Sequence, residues 1–122
     1  MERLSIITAL HNCVDLTRVY IDSILETVDH PNWELILVDD ASSDSTSEFL
    51  DSVASRFTVL RNPENMGYAR SNNRGESVAT GSILAFLNND LTLSKGWLEP
   101  MLETIENAPQ AGAVGNIQIN PG

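Results

Sequence analysis

Residues 33–46, WELILVDDASSDST, decide the fold because an apolar run ends in two carboxylates and leads directly into a helix signal. The run from Trp33 to Asp40 is typical of a strand that is buried on both faces of a parallel sheet. Ser45, with Glu48 three residues later, forms a capping-box pattern that predicts a helix to about Ser55. The stretch therefore predicts the strand and helix unit that parallel α/β sheets repeat.

The same alternation continues in both directions along the chain. Apolar runs predict strands at residues 4–8, 57–61, 82–90 and 111–119, and helical periodicity predicts helices at 15–28, 68–80 and around 98–105. Asp15 is the predicted N-cap of the first helix, and Pro100 is expected in the first turn of the last one. The repeated order predicts an α/β fold of three layers, α/β/α, with a mostly parallel sheet.

Composition and charge limit the possible functions. The 122 residues fit a single domain, residues 1–122, and 42% hydrophobic residues can bury an ordinary core. A net charge of -10 disfavours nucleic acid and anionic membrane surfaces as partners. The amino terminus has no signal pattern, and no apolar run reaches the roughly 18–20 residues that span a bilayer. We expect a cytoplasmic protein, peripheral to the inner membrane if the native chain is longer, with Cys13 unpaired.

Polar segments follow the predicted strands at the edge where parallel α/β sheets bind ligands. They are ALHN at 9–12, Asp39 with Asp40, NMGYARSNNRG at 65–75 and NND at 88–90. Asp, Asn and Ser are also ordinary cap and turn residues, so one such segment alone would indicate only a loop. Four of them at one edge favour a ligand site, because caps do not require an apolar strand to end in paired carboxylates.

Four stretches together resemble a known family. SIITALHN, ELILVDDASSDST, NMGYARSNNRG and ILAFLNNDLTLSKGWLEPML are similar, in order and spacing, to the amino-terminal half of family 2 glycosyltransferases. The resemblance covers almost the whole chain and is strongest to the rhamnosyltransferase-like, O-antigen-type branch, in which the fourth strand ends in Asn-Asn-Asp or Asn-Pro-Asp. It implies a GT-A, Rossmann-like fold, here truncated after about the fifth strand, with a nucleoside-diphosphate sugar at the polar edge.

The resemblance implies which residues bind the nucleotide base. Asp40 would accept a hydrogen bond from the N3–H of uracil or thymine, and Asp39 would support the loop. Ala9 stands where some members carry a hydroxyl, so that contact would come from main-chain groups of Ala9 to His11 or be absent. His11 is either part of the nucleotide site or an ordinary turn histidine.

The resemblance also implies a divalent cation, Mg²⁺ or Mn²⁺, at the diphosphate. Asp90 would hold the cation as the last residue of a DXD-like motif. Asn88 and Asn89 stand where many members carry acids, and Asn89 would bond a ribose hydroxyl or a metal-bound water. The cation would act as a Lewis acid for the departing nucleoside diphosphate.

The Asn-rich segment would form a helix close beneath the donor. Asn lowers helix propensity, which suggests that these side chains are used. Gly67 would leave room for the base, Asn73 would hydrogen-bond neighbouring loops, and Arg70 would reach the diphosphate. Arg70 and Arg74 can equally be solvated surface residues.

The implied activity is transfer of a sugar from a UDP- or dTDP-type donor to a hydroxyl of a saccharide or lipid-linked acceptor, with inversion, in cell-surface polysaccharide biosynthesis. The catalytic general base is expected beyond residue 122, so this chain alone is expected to be inactive, and an exposed sheet edge would favour a homodimer. A non-catalytic nucleotide-binding module is the alternative. A phospho-receiver-like domain is a further one, although its acidic pair would follow the first strand.

Overall fold

The computed structural model describes residues 3–89, 93–106 and 114–116. In these ranges the strands are β1 (Leu4–Leu10), β2 (Trp33–Asp39), β3 (Thr58–Arg61), β4 (Ile83–Phe86) and β5 (Val114–Asn116). The helices are α1 (Val14–Thr27), α2 (Thr46–Val53), α3 (Tyr68–Val78) and α4 (Leu98–Glu106). Each predicted strand and helix is present in the predicted order, with ends that differ by a few residues.

The described strands form one parallel sheet in the order β3-β2-β1-β4-β5. β1 lies between β2 and β4, so that Ile7 pairs with both Ile36 and Phe86. This is the 3-2-1-4-5 arrangement of dinucleotide-binding α/β domains, whereas phospho-receiver domains have the order 2-1-3-4-5. The predicted parallel α/β fold is confirmed, and the phospho-receiver alternative does not fit the strand order.

Helices cover both faces of the sheet and give the predicted three layers. On one face, α1, α2 and α4 enclose the larger core cluster, which includes Tyr20, Leu50 and Leu98. On the other face, α3 covers a smaller cluster that includes Ile7 and Val38. No helix in the described ranges combines the length and apolar character needed to cross a membrane.

α3 lies very close to the sheet at Gly75. A Cβ atom at this position would lie 2.6 Å from Ile7 Cγ2 and 3.2 Å from Val38 Cγ2, so only glycine fits without a shift. Ser71 and Asn72 are buried on the same side of the helix. The close approach brings the start of α3 to the carboxyl ends of β1 and β2.

The start of α1 differs from the prediction. Its N-cap is Cys13 rather than Asp15, and both Asn12 and Cys13 have left-handed backbone angles, with φ of 59° and 62°. The N–H of Val14 donates instead to Asp44 Oδ2, which lies 3.2 Å away in the loop after β2. A carboxylate 30 residues away in sequence thus takes the place that Asp15 was expected to fill.

The start of α2 lies where the pattern predicts it, with Ser45 as N-cap. The Ser45 side chain makes no cap hydrogen bond, so the predicted capping box is not formed, and Asp44 Oδ1 accepts the N–H of Thr46 at 2.9 Å. The hydrogen bonds from Thr46 lower the pKa of Asp44. Pro100 lies in the first turn of α4, as expected.

Candidate functional site

A cleft of about 230 Å³ opens at the carboxyl edge of the sheet, between the ends of β1 and β4 where the strand order reverses. Its walls are formed by Ala9, Leu10, His11, Asp40, Tyr68, Ser71 and Asn89. Four of these were expected from the sequence, namely Ala9, His11, Asp40 and Asn89. Since whole ligand pockets usually measure about 300–1,000 Å³, the described walls fit one ring or group of a larger ligand.

Asp40 is the central polar group of the cleft and is only 6% exposed. Its Oδ1 accepts hydrogen bonds from Asn62 Nδ2 at 2.9 Å and from the N–H of Met66 at 2.6 Å. Its Oδ2 accepts the N–H of Gly67 at 3.0 Å. Burial alone would raise the pKa of Asp40, but these donors together lower it, so the side chain is an ionised acceptor.

The Asp40 carboxylate keeps one acceptor position for a ligand. A carboxylate offers about four lone-pair positions, two on each oxygen. Asn62 and Met66 occupy both positions of Oδ1, and Gly67 occupies one of Oδ2. The remaining position can accept a single N–H or O–H group.

Asn62 donates a hydrogen bond to Asp40, and Arg74 in turn donates one to Asn62. Neither role was expected from the sequence. Arg74 Nη1 donates to Asn62 Oδ1 and to the carbonyl oxygen of Arg61, both at 2.7 Å. Asn62 Nδ2 donates to Ser71 Oγ at 2.9 Å as well as to Asp40. Arg74 is therefore not the solvated surface residue that the sequence left open. Asn62 directly follows β3, so its position at a strand end was a usable signal.

The loops after β1 and β2 are held together by Asn12. Its Oδ1 accepts the N–H of Ser43 at 2.7 Å, and its own N–H donates to Ser42 Oγ at 2.8 Å. Asp39 Oδ1 accepts the N–H of Ser42 at 3.0 Å, which agrees with the loop-supporting role expected for Asp39. The edge of the cleft is thus built on two loops that fix each other.

His11 lines the cleft and is also bonded to the loop after β2. Its Nδ1 lies 2.6 Å from the carbonyl oxygen of Asp40. A carbonyl only accepts, so Nδ1 carries the proton and donates. In the neutral ring Nε2 is then an acceptor, in agreement with Asn12 Nδ2 at 3.3 Å. His11 therefore fixes the backbone of Asp40 while one edge of its ring remains exposed.

The side-chain oxygen of Asn89 accepts no hydrogen bond from the residues that the structure describes. Its Nδ2 donates to Thr17 Oγ1 at 3.0 Å, and that hydroxyl donates onward to the carbonyl oxygen of Cys13 at 3.3 Å. The Thr17 hydroxyl therefore fixes which way the amide faces. This role of Thr17 could not be predicted from local patterns, because the contact joins residues 72 positions apart.

Gly67 precedes α3 with φ of +90°, a conformation that favours glycine. No atom lies within 4 Å of a Cβ built there, but Gly67 is not among the residues that line the cleft, so the room that it would leave for a base stays a prediction. Its N–H donates to Asp40, a contact that the sequence did not indicate. Arg70 is exposed and has no hydrogen-bond or ion-pair partner in the described part of the chain. Its contact with a diphosphate stays a prediction.

Asn73 does not make the hydrogen bonds expected of it within the described residues, where it is an exposed position of α3. The buried positions Ser71, Asn72 and Gly75 lie on the side of the helix that faces the sheet, and Asn73 is about 100° further round. Asn62 and Arg74 hold the neighbouring loops instead.

Asp90, the expected metal ligand, lies outside the described residues. Among those described, no group of three His, Cys, Asp or Glu side chains could hold a metal ion. Of the described groups at the cleft, Asn89 Oδ1 is an oxygen of the kind that Mg²⁺ or Mn²⁺ accepts, and most of the Asp40 carboxylate is occupied. The described residues thus do not form a complete metal site.

A parallel 3-2-1-4-5 sheet with a polar cleft at its switch point is the arrangement in which nucleotide-binding α/β domains hold their ligands. A family model described as "Glycosyl transferase family 2" matches residues 5–122. The chain belongs to this family, as its sequence motifs predicted.

Two named relatives are identical to this chain at more than a third of the aligned residues. It is 37% identical over 118 residues to polypeptide N-acetylgalactosaminyltransferase 5 of Caenorhabditis elegans. The alignment covers 89% of this chain and 18% of that protein. It is 36% identical over 102 residues to the putative teichuronic acid biosynthesis glycosyltransferase TuaG of Bacillus subtilis. That alignment covers 81% of this chain and 40% of TuaG. The chain thus spans less than half the length of either relative.

Solved structures share the fold. TarS 1–349 of S. aureus, in complex with UDP, superposes with a TM-score of 0.74 at 22% identity, over 86% of this chain and 32% of that one. The mannosyltransferase PcManGT of Pyrobaculum calidifontis, in complex with GDP-Man and Mn²⁺, gives a TM-score of 0.68 at 28% identity, over 73% of this chain and 28% of that one. The predicted GT-A fold is confirmed.

Proposed function

We propose that this chain binds the nucleotide of a UDP- or dTDP-sugar and forms the donor-binding part of a glycosyltransferase. Asp40 carries the proposal, because it is a buried, ionised carboxylate with one acceptor position left at a cleft beyond the strand ends. The imide N–H of uracil or thymine supplies the single donor that this position requires.

The same count of acceptor positions argues against other bases. Guanine presents two N–H groups side by side and would pair with both oxygens of a carboxylate, yet Asp40 Oδ1 already accepts from Asn62 and Met66. Cytosine has no hydrogen on its ring N3, so in the pose proposed for uracil it would turn a lone pair toward Oδ2 and would have to shift to donate its exocyclic amino group instead. The GDP-Man complex of PcManGT nevertheless makes GDP the competing candidate for an experiment.

Three further side chains would complete the nucleotide site. Asn89 Oδ1 would accept a ribose hydroxyl, since Thr17 holds the amide nitrogen. The ring of Tyr68 is 47% exposed beside the cleft and would pack against the base. Arg70, in the first turn of α3, would pair with the diphosphate.

Asp90 would hold Mg²⁺ or Mn²⁺ at the diphosphate in this proposal. The Mn²⁺ in the PcManGT structure, at 28% identity, supports a divalent cation in this part of the family. When bound, the cation would neutralise charge on the departing diphosphate, which a protein of net charge -10 would otherwise repel.

The acceptor side of the proposal rests on relatives rather than on geometry. TuaG is named for teichuronic acid biosynthesis, and at 36% identity it favours a saccharide or lipid-linked acceptor in cell-surface polysaccharide synthesis. The other relative is named for transfer to polypeptides, so a protein acceptor is the competing class. Inverting transfer and a location at the cytoplasmic face of the membrane belong to the same proposal.

Calorimetry with UDP, dTDP, CDP and GDP, each with and without Mn²⁺, tests the donor. We expect UDP and dTDP to bind at least about tenfold more tightly than CDP and GDP, because a buried acceptor left without its donor is costly. GDP binding as tight as UDP binding would contradict the assignment of Asp40. Transfer assays with UDP- and dTDP-sugars then separate an enzyme from a module that only binds nucleotide.

A further inference from the structure

A chain of hydrogen bonds leads from the second turn of α3 to the Asp40 carboxylate. Arg74 Nη1 donates to Asn62 Oδ1 at 2.7 Å, and Asn62 Nδ2 donates to Asp40 Oδ1 at 2.9 Å. Arg74 itself lies beyond the cleft walls and is half-buried. Its influence on the cleft must therefore pass through Asn62.

The direction of these hydrogen bonds is fixed at both ends of the Asn62 amide. The guanidinium of Arg74 only donates and the ionised carboxylate of Asp40 only accepts, so Asn62 turns its oxygen toward Arg74 and its nitrogen toward Asp40. The two ends of an amide are almost equal in shape, and a rotation by 180° would place the Asn62 oxygen against the Asp40 carboxylate. Two acceptors would then face each other in a buried position.

The main chain of Asn62 and the side chain of Arg74 are both held by further hydrogen bonds. Its backbone N–H donates to the carbonyl oxygen of Asp39 at 2.8 Å, which fixes the main chain beside β2. Arg74 is held by a second hydrogen bond to the carbonyl of Arg61 at 2.7 Å. The helix that carries it lies close to the sheet, because a Cβ atom built on Gly75 would already lie 2.6 Å from Ile7 Cγ2.

We propose that Arg74 is a positioning residue that sets the base selectivity of the cleft. It holds the Asn62 amide in the donating orientation, and Asn62 in turn holds Asp40 so that only one acceptor position faces the ligand. The selectivity part of this inference rests on the proposed nucleotide function, whereas the positioning part concerns the ligand-free protein.

Two measurements on Arg74→Met and Arg74→Lys test the two parts separately. The control is Arg56→Met, which removes an exposed guanidinium beside the Phe57 ring at the opposite edge of the sheet. Amide NMR shifts of Met66 and Gly67 without ligand report on the Asp40 carboxylate, since both N–H groups donate to it. Calorimetry with UDP and CDP reports on selectivity.

We expect Arg74→Met to move both amide signals and to weaken UDP binding by about tenfold, as the loss of one hydrogen bond to a charged group would. CDP binding should change less, so that the preference for UDP falls. Arg74→Lys should restore part of both effects, because an ammonium group can still donate to the Asn62 oxygen. The control should leave the signals and the preference unchanged.

Unmoved Met66 and Gly67 signals in Arg74→Met would overturn the positioning role. Moved signals with an unchanged ratio of UDP to CDP affinity would overturn the selectivity role and leave Arg74 as a structural residue. A wild-type chain that binds no nucleoside diphosphate would refute both the proposed function and the selectivity role, while the amide signals would still decide the positioning role.

Discussion

Replacing Asp40 by Asn tests the central carboxylate with almost no change of shape. Three N–H groups converge on this side chain at 2.6 to 3.0 Å. In Asp40→Asn the amide oxygen can still accept from Asn62 and Met66, but the amide nitrogen faces the N–H of Gly67. Two donors then meet where a donor and an acceptor met before.

The cost can be worked out from these contacts. The two retained hydrogen bonds change from a charged to a neutral acceptor, which costs about 0.5–1 kcal/mol each, and the Gly67 N–H is left unpaired, which costs about 1–3 kcal/mol. We expect the free energy of unfolding to fall by about 2–5 kcal/mol. For a domain of 122 residues this corresponds to a fall of roughly 8–20 °C in melting temperature.

Urea unfolding at pH 7 measures this loss. Asp22→Asn is the matched control, because Asp22 is exposed on α1, and its change should stay within about 0.5 kcal/mol. UDP affinity, measured by calorimetry below the unfolding range, should fall with Asp40→Asn even without metal. If Asp40→Asn were as stable as Asp22→Asn, the three hydrogen bonds could not be holding the start of α3.

The stability difference between wild type and Asp40→Asn should also depend on pH, and it should become smaller in acid. The pKa of Asp40 is lowered on folding, so its ionised form contributes stability that is fully present above the unfolded-state pKa of about 4 and is lost as the pH falls through the lower folded-state pKa. The stability gap between wild type and Asp40→Asn should therefore be constant near neutral pH and narrow below about pH 4. A gap of constant size down to pH 3 would show that the charge of Asp40 contributes nothing.

Three further substitutions test other parts of the site. Asp90→Ala should abolish the metal dependence of UDP binding in calorimetry without lowering the melting temperature, and a large fall would assign Asp90 a structural role instead. Gly75→Ala should lower the free energy of unfolding in urea by about 1–3 kcal/mol, because the added methyl group meets Ile7 Cγ2 at 2.6 Å. An unchanged urea midpoint would mean that α3 can move off the sheet. Thr17→Val should weaken UDP binding about three- to tenfold, because Asn89 loses the hydroxyl that fixes its amide, and equal affinity would contradict this.

The fold could be predicted because it depends on local signals. The apolar runs and helical periods mark every strand and helix, and alternation of the two requires a parallel sheet. The end of the fourth strand was predicted less well. It was expected to reach Asp90, but β4 ends at Phe86. The next residue, Leu87, still donates its N–H to the carbonyl oxygen of Ile7 in β1.

The candidate site could be predicted only as a set of residues at one edge. Ala9, His11, Asp40 and Asn89 do meet at the cleft, since the ends of parallel strands converge there. Their hydrogen bonds could not be foreseen, because they come from side chains such as Thr17 and Asn62 that no local pattern marks. The hydrogen bonds expected of Asn73 were also wrong for the described residues, because Asn72 faces the sheet and the next residue on α3 is turned to the surface.

The paired carboxylates at the end of β2 bear on the base selectivity that we propose for the cleft. Successive residues of a strand point to opposite faces of the sheet, so Asp39 and Asp40 serve different loops. Asp39 accepts from Ser42 in the loop that leads to α2, and Asp40 accepts from Met66 and Gly67 at the start of α3. Both acids therefore hold backbone N–H groups of loops, and a ligand can use only the acceptor capacity that these hydrogen bonds leave over. If Asp40 binds the base as proposed, the residues that fix its carboxylate would help to decide which base the cleft accepts.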